Sequence, residues 1–319
     1  VSIVARRYVA GRESEEPVEV VPGMADRLRD DEVLWIRADP DDAALRRIDA
    51  ALCLDGVVAA TADVERPGAR YLKDAIRLSV FGMEHHPDAG EPRAVLVHLI
   101  AVPNAVVMVA PAAIGGIEDA VDAHAGDPRF GALDAGTFLG LLLDGILDGY
   151  HRELEAIERD VDRVDEAALR KEPVEALLLT LVSIRRRSAV LRRSLAPQRA
   201  VYETLARPIG GQGSPIGAPW PELIDRLEHT IDAVERAHDL LLGSFDIVMT
   251  RTGQRTNDIM RVLTVISSVL LPSVVIAGVM GMNFHPDFFD QPSLFWIVLA
   301  LMGALAAISL GVARMRRWI

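Results

Sequence analysis

Apolar positions along this chain change their period twice. Up to about residue 115 they come in short runs: Val33, Leu34, Trp35 and Ile36, then 94–100, then 104–109. Runs of that length, rich in β-branched residues, read as neighbouring strands of one sheet. Pro103 and Asn104 between the last two predict a hairpin. Residues 70–80 alternate in part and predict a further strand. Residues 41–54 space Ala, Leu and Ile as a helix does, with acidic residues in the first turn.

From Gly116 the spacing becomes three and four. A short helix is predicted over 117–125, stopped by Gly126, Asp127 and Pro128. A long amphipathic helix follows over 137–170, with Leu139, Leu142, Leu143, Ile146, Leu147 and Tyr150 on one stripe. Pro173 suits the first turn of the next helix, which runs to about residue 207 with Pro197 expected to kink it. Residues 207–221 read as a loop. From 221 to 280 only Pro272 interrupts, which predicts one helix of about 60 residues, roughly 90 Å at 1.5 Å per residue. The alternative is two helices with a hinge near Gly253.

The second change of period is at the C-terminal end. Stretches 262–280 and 293–313 are apolar all round, each near the ~20 residues that cross a hydrocarbon core. The expected organisation is an α/β domain at 1–130 and an antiparallel helix pair at 131–220. A stalk helix at 221–281 then continues as the first span, followed by an outer loop at 282–292, a second span at 293–313 and a basic tail at 314–319.

Arg251, Arg255 and Arg261 precede the first span, and Arg314, Arg316 and Arg317 follow the second. The turn between the spans has Asp287 and Asp290 and no Lys or Arg. The positive-inside rule then places both termini in the cytoplasm of a multi-pass protein of the cell membrane. No charged and then apolar leader opens the sequence, so insertion is expected to use these spans. A net charge of −12 argues against nucleic acid as a partner. The lone Cys53, flanked by Leu52 and Leu54, reads as core and excludes an intrachain disulfide.

One face of the long helix carries Asn257, Met260, Leu263, Ser267, Leu271, Val274, Gly278 and Gly281, at steps of three or four. A mean step close to 3.5 suits helices packed around a common axis. Asn257 and Asn283 bracket an apolar middle, a pattern without purpose in a lone anchor. The string Gly281-Met282-Asn283-Phe284 after an apolar span, followed by a second span and a basic end, resembles the CorA-type magnesium transporters. The segment from Thr256 to Thr264, Leu271-Pro272, Ile276-Ala277-Gly278 and Arg192-Arg193-Ser194-Leu195-Ala196-Pro197-Gln198-Arg199 extend the resemblance. Met280 stands where the family usually has an aromatic residue, and Val274 where a Thr is frequent.

The resemblance implies a homopentamer whose long helices line an axial pore, moving Mg2+ and also Co2+ or Ni2+. Mg2+ sheds water reluctantly and demands octahedral oxygen coordination. A ring of Asn283 side chains with carbonyls near Gly281 and Met282 offers neutral acceptors to a hydrated ion, and Asp287 and Asp290 concentrate cations nearby. Met260, Leu263, Leu271 and Val274 would form apolar rings that gate by dewetting. Regulatory Mg2+ is expected at carboxylates between the stalk and the α/β domain, with Glu222, Asp225 and Glu228 on one side and Asp88 or Glu84 on the other.

Other constellations are bland. His85-His86 has no second ligand pair, and Gly210-Gly211-Gln212-Gly213 lacks the Lys-Ser/Thr of a phosphate loop. No nucleophile stands with a base in a convincing context, so no enzyme activity and no organic cofactor are expected. The competing readings are a zinc transporter on the same scaffold and a membrane-anchored cytoplasmic sensor.

Overall fold

The computed structural model describes residues 3–9, 16–24, 27–29, 32–72, 75–84, 92–125, 134–170, 172–206, 220–282 and 292–316. The chain divides into two compact units, Val1–Ser244 and Phe245–Ile319.

In the first unit, β1 (Ile3–Val9), β2 (Glu16–Pro17), β3 (Glu32–Ala38), β4 (Gly68–Tyr71), β5 (Ile76–Met83), β6 (Ala94–Val102) and β7 (Ala105–Val109) form a seven-stranded sheet. The strand order is β2-β1-β3-β7-β6-β5-β4, parallel only between β3 and β7. The helices are α1 (Asp42–Ala51), α2 (Ile117–Ala125), α3 (Ala135–Leu169), α4 (Val174–Leu195), α5 (Arg199–Ala206) and the first turns of α6 (Trp220–Met280).

Strand β3 shows why the apolar runs are uninterrupted. Leu34 and Ile36 point to one face and share a core with Leu45 and Ile48 of α1. Trp35 points to the other, with its ring centroid 6.2 Å from that of Phe138 in α3. A sheet covered on both faces buries both side-chain sets of its central strands. Tyr8 of β1 meets the same Phe138 ring at 5.8 Å.

The predicted hairpin forms, with Val102 opposite Ala105 in the β6–β7 pair. Strand β1 went unseen in the hydrophobic pattern because Arg6 and Arg7 interrupt it. Arg6 finds a place over the Trp35 ring, 5.6 Å from its centroid. Residues 70–80 are two strands and not one: β4 and β5 pair antiparallel with Tyr71 opposite Ile76. Cys53 is exposed and not core. Helix α1 ends just before it, and a φ of 55° turns Cys53 out of helical register.

The kink expected at Pro197 is a 3-10 turn, Ala196–Gln198, between α4 and α5. Gln198 in that turn is buried. Its Nε2 donates to the Phe81 carbonyl at 3.1 Å and to the Ser194 carbonyl at 3.0 Å. Burial holds the neighbouring Tyr150 and Tyr202 phenols above their ordinary pKa. Gly116, with φ at 93°, lies so close to α3 that a Cβ there would sit 2.0 Å from the Gly145 carbonyl oxygen.

Helix α6 passes through Gly253 without a break, so there is no hinge at that point. In the first unit its buried positions are Trp220, Leu223, Leu227, Thr230, Val234, Ala237, Leu241 and Ser244. They alternate steps of three and four, which is a heptad seam. Beside the seam, Arg226 reaches α3: Nη1 donates to Asp144 Oδ2 at 2.8 Å and Nη2 to Asp148. Thr230 Oγ1 lies 3.1 Å from His151 Nε2.

The second unit holds the rest of α6 and α7 (Pro292–Met315). Their most apolar windows, each with mean hydropathy 2.3, are only 6% and 0% buried. The core helix of a protein living wholly in water would be mostly buried. Two helices of this length with apolar surface bare on nearly every side belong in a bilayer, where that surface needs no cover.

Candidate functional site

Residues two apart on a helix lie about 200° apart around its axis. In the second unit the half-buried residues of α6 include Val265, Val269, Pro272, Ser273 and Ile276. This side meets α7, whose Ser309 hydroxyl donates to the Ser268 carbonyl at 3.3 Å. Two residues along from members of that set come Leu263, Ser267, Leu271, Val274 and Gly278. The sequence stripe therefore faces away from α7. Met260, Leu263, Leu271 and Val274 are 55%, 54%, 65% and 64% exposed. Asn257 is exposed as well. A Cβ on Gly278 would meet nothing within 4 Å, so no contact inside the chain asks for glycine there.

At the end of α6 the backbone tightens. Gly281 N–H donates to the Ala277 carbonyl at 2.9 Å and Met282 N–H to the Val279 carbonyl at 3.3 Å. The negative end of the helix dipole thus lies at Gly281 and Met282, a favourable place for a cation. Asn283, Asp287, Asp290 and Asp88 lie outside the described residues. Val265, Val312, Ala313 and Arg316 line one groove of about 520 Å³ between α6 and α7. The helices are therefore antiparallel, and Arg261 and Arg316 fall at the same end of the pair.

The stalk carboxylates differ in their engagement. Glu222 is exposed. Asp225 lies 3.3 Å from His229 one turn on. Glu228 is gripped by Arg199, whose Nε donates to Oε1 at 2.6 Å and whose Nη2 donates to Oε2. That hydrogen-bonded pairing, with the charge of Glu228, raises the Arg199 pKa. Glu84, just past the end of β5, forms an isolated antiparallel bridge to Ile114. Among the described residues no three His, Cys, Asp or Glu side chains gather in a way that would hold a metal ion.

Sequence reasoning missed Asp144 and Asp148 as partners of α6, although two acids one turn apart in an apolar stretch of α3 were visible. Their partner Arg226 was not, because it lies 82 and 78 residues away in the chain.

The sequence profile described as CorA-like Mg2+ transporter protein matches residues 30–313. The cobalt/magnesium transport protein CorA of Thermotoga maritima is 31% identical over 186 residues, which are 56% of this chain and 51% of that protein. The divalent cation transporter CmaX of Pseudomonas aeruginosa is 32% identical over 179 residues, 56% of this chain and 52% of that one. The chain thus spans about half the length of the curated relatives it matches. The complete structure of the CorA magnesium transporter from Methanocaldococcus jannaschii superposes with a TM-score of 0.78 at 19% identity, covering 100% of this chain and 99% of that one. At that identity the likeness shows the fold: an α/β domain, a long helix and two C-terminal apolar helices. With its profile matched over nearly the whole length, the chain belongs to the CorA-like Mg2+ transporter family.

Proposed function

We propose that this chain carries divalent cations, Mg2+ foremost, into the cytoplasm through a passage built from five copies of α6. The observation that supports this most is the stripe from Asn257 to Gly278. It is turned away from α7, exposed, polar at Asn257, apolar at Met260, Leu263, Leu271 and Val274, and ends on a glycine that no contact within the chain requires. A ring of such faces forms a narrow hydrophobic bore, with Met260, Leu263, Leu271 and Val274 as constrictions that exclude ions by dewetting. The name of the Thermotoga relative, a cobalt/magnesium transport protein, favours the same cargo.

At the outer mouth, Asn283 amide oxygens with the negative helix ends at Gly281 and Met282 would greet an ion that keeps its water. Asp287 and Asp290 would raise its local concentration. Both termini lie on the cytoplasmic side in this reading, because the basic ends of the two helices coincide. Cytosolic Mg2+ bridging stalk carboxylates to Asp88 across subunits would hold the passage closed. Both oxygens of Glu228 are engaged by Arg199, so Glu222 and Asp225 carry that role.

The test is uptake into sealed liposomes at a set membrane potential, comparing Mg2+, Co2+ and Zn2+. Mg2+ influx is expected to follow the potential, each charge being worth about 2.3 kcal/mol per 100 mV. Asn283→Ala is expected to abolish it. Uptake of Zn2+ alone, driven by a proton gradient, would support the zinc reading. Full growth rescue by Asn283→Ala in a magnesium-requiring strain would support the anchor reading.

A further inference from the structure

A proline inside a helix has no N–H to give, so the carbonyl four residues earlier loses its partner. In α6 that proline is Pro272 and the orphaned carbonyl belongs to Ser268. In a bilayer there is no water to take the place of the lost donor, and an unsatisfied backbone group is costly. The donor that fills the place comes from the other helix: Ser309 Oγ lies 3.3 Å from Ser268 O. Among the described residues it is the only hydrogen bond between α6 and α7. Beside it the helices stand apart, leaving the groove of about 520 Å³ lined by Val265, Ser268, Ile308, Ser309 and Val312 among others.

Helix α6 nonetheless runs unbroken through Pro272. The neighbours of the tied turn are the residues on the far side of the helix: Ser267 and Leu271 immediately precede Ser268 and Pro272, and Val274 follows two residues later.

We propose that Ser309 is a positioning residue for the cation passage: its hydroxyl stands in for the missing N–H of Pro272 and so fixes the bend and rotation of the turn that presents Leu271 and Val274. The inference about passage rests on the transport reading; the tie itself does not. It makes α7 a brace of the lining helix, acting at the one turn where the backbone cannot hold itself. Ser309→Thr keeps the hydroxyl and Ser309→Ala removes it.

The experiment is a double-mutant cycle on the full chain in detergent and in liposomes, with Ser309→Ala, Pro272→Ala and the pair. A residue at 272 that has its own N–H satisfies Ser268 without help. Ser309→Ala is therefore expected to lower the melting temperature by about 2–4 °C in the Pro272 background. In the Pro272→Ala background it should do nothing, and Ser309→Thr should restore the original value. Mg2+ flux should change several-fold in Ser309→Ala and return in Ser309→Thr. An equal loss of melting temperature in both backgrounds, or none in either, overturns the tie. A coupled loss of melting temperature with unchanged flux in Ser309→Ala overturns the positioning role. A coupled loss among the variants, with a wild-type chain that passes no cation under any condition, fails the transport reading, and the positioning role with it, while the tie stands.

Discussion

Single residues in the first unit carry measurable consequences. His98 on β6 lies opposite Ser79 on β5, with Ser79 Oγ 2.9 Å from His98 Nδ1. Burial first, and then the charge of Arg77, pushes the His98 pKa down from 6.5 to about 4. Between those values the unfolded chain binds a proton that the folded chain refuses, so stability falls as pH drops through that window. His98→Gln is expected to flatten this part of the profile. Melting temperatures of wild type and variant between pH 4 and 7 should converge toward the acid end if His98 carries the effect. Neither the pairing with Ser79 nor the burial was legible beforehand, because both depend on strand register and not on local pattern.

Among the elements, α6 shows most clearly what sequence can and cannot announce. Its seam from Trp220 to Ser244 is a heptad that spacing alone reveals, and Leu227 on it is fully buried. Leu227→Ala is expected to cost about 2–5 kcal/mol. Leu179→Ala on α4, where the side chain is 74% exposed, should stay within about 0.5 kcal/mol. Denaturant unfolding of the full chain in detergent separates the two. The central strands were legible because burial on both faces leaves them continuously apolar. Strand β1 was not, because Arg6 and Arg7 break its run and are accommodated by tertiary partners. The break of 70–80 into two strands falls at the adjacent polar pair Lys73 and Asp74, which interrupts the alternation and lies outside the described residues; the partial alternation on either side was read as one strand.

At the scale of the whole molecule, the stripe was legible as a period, but its independence from α7 depends on how the two helices pack. That independence yields a contrast. On the transport reading proposed above, Leu271→Asn places an amide on the exposed face and should wet an apolar constriction, raising cation leak in liposomes. Val269→Asn, on the side that meets α7, should leave the leak at the wild-type level and lower the melting temperature instead. The outer turn, read as a neutral amide followed by acids that would suit a hydrated divalent ion, lies outside the described residues. The bond from Ser309 to Ser268 was not, because nothing local in either stretch points to a partner 41 residues away.

The double grip of Arg226 on Asp144 and Asp148 works as a ratchet tooth. A seam of similar apolar residues would mesh almost as well after sliding one helical turn, about 5.4 Å. Sliding forward by a turn would swap Asp144 for Arg152 opposite the guanidinium, and sliding back would swap Asp148 for Gly140. Either slip forfeits an attraction, and the forward one adds a repulsion. Apolar burial hides the seam, but it is the charges that say where along α3 the stalk stops.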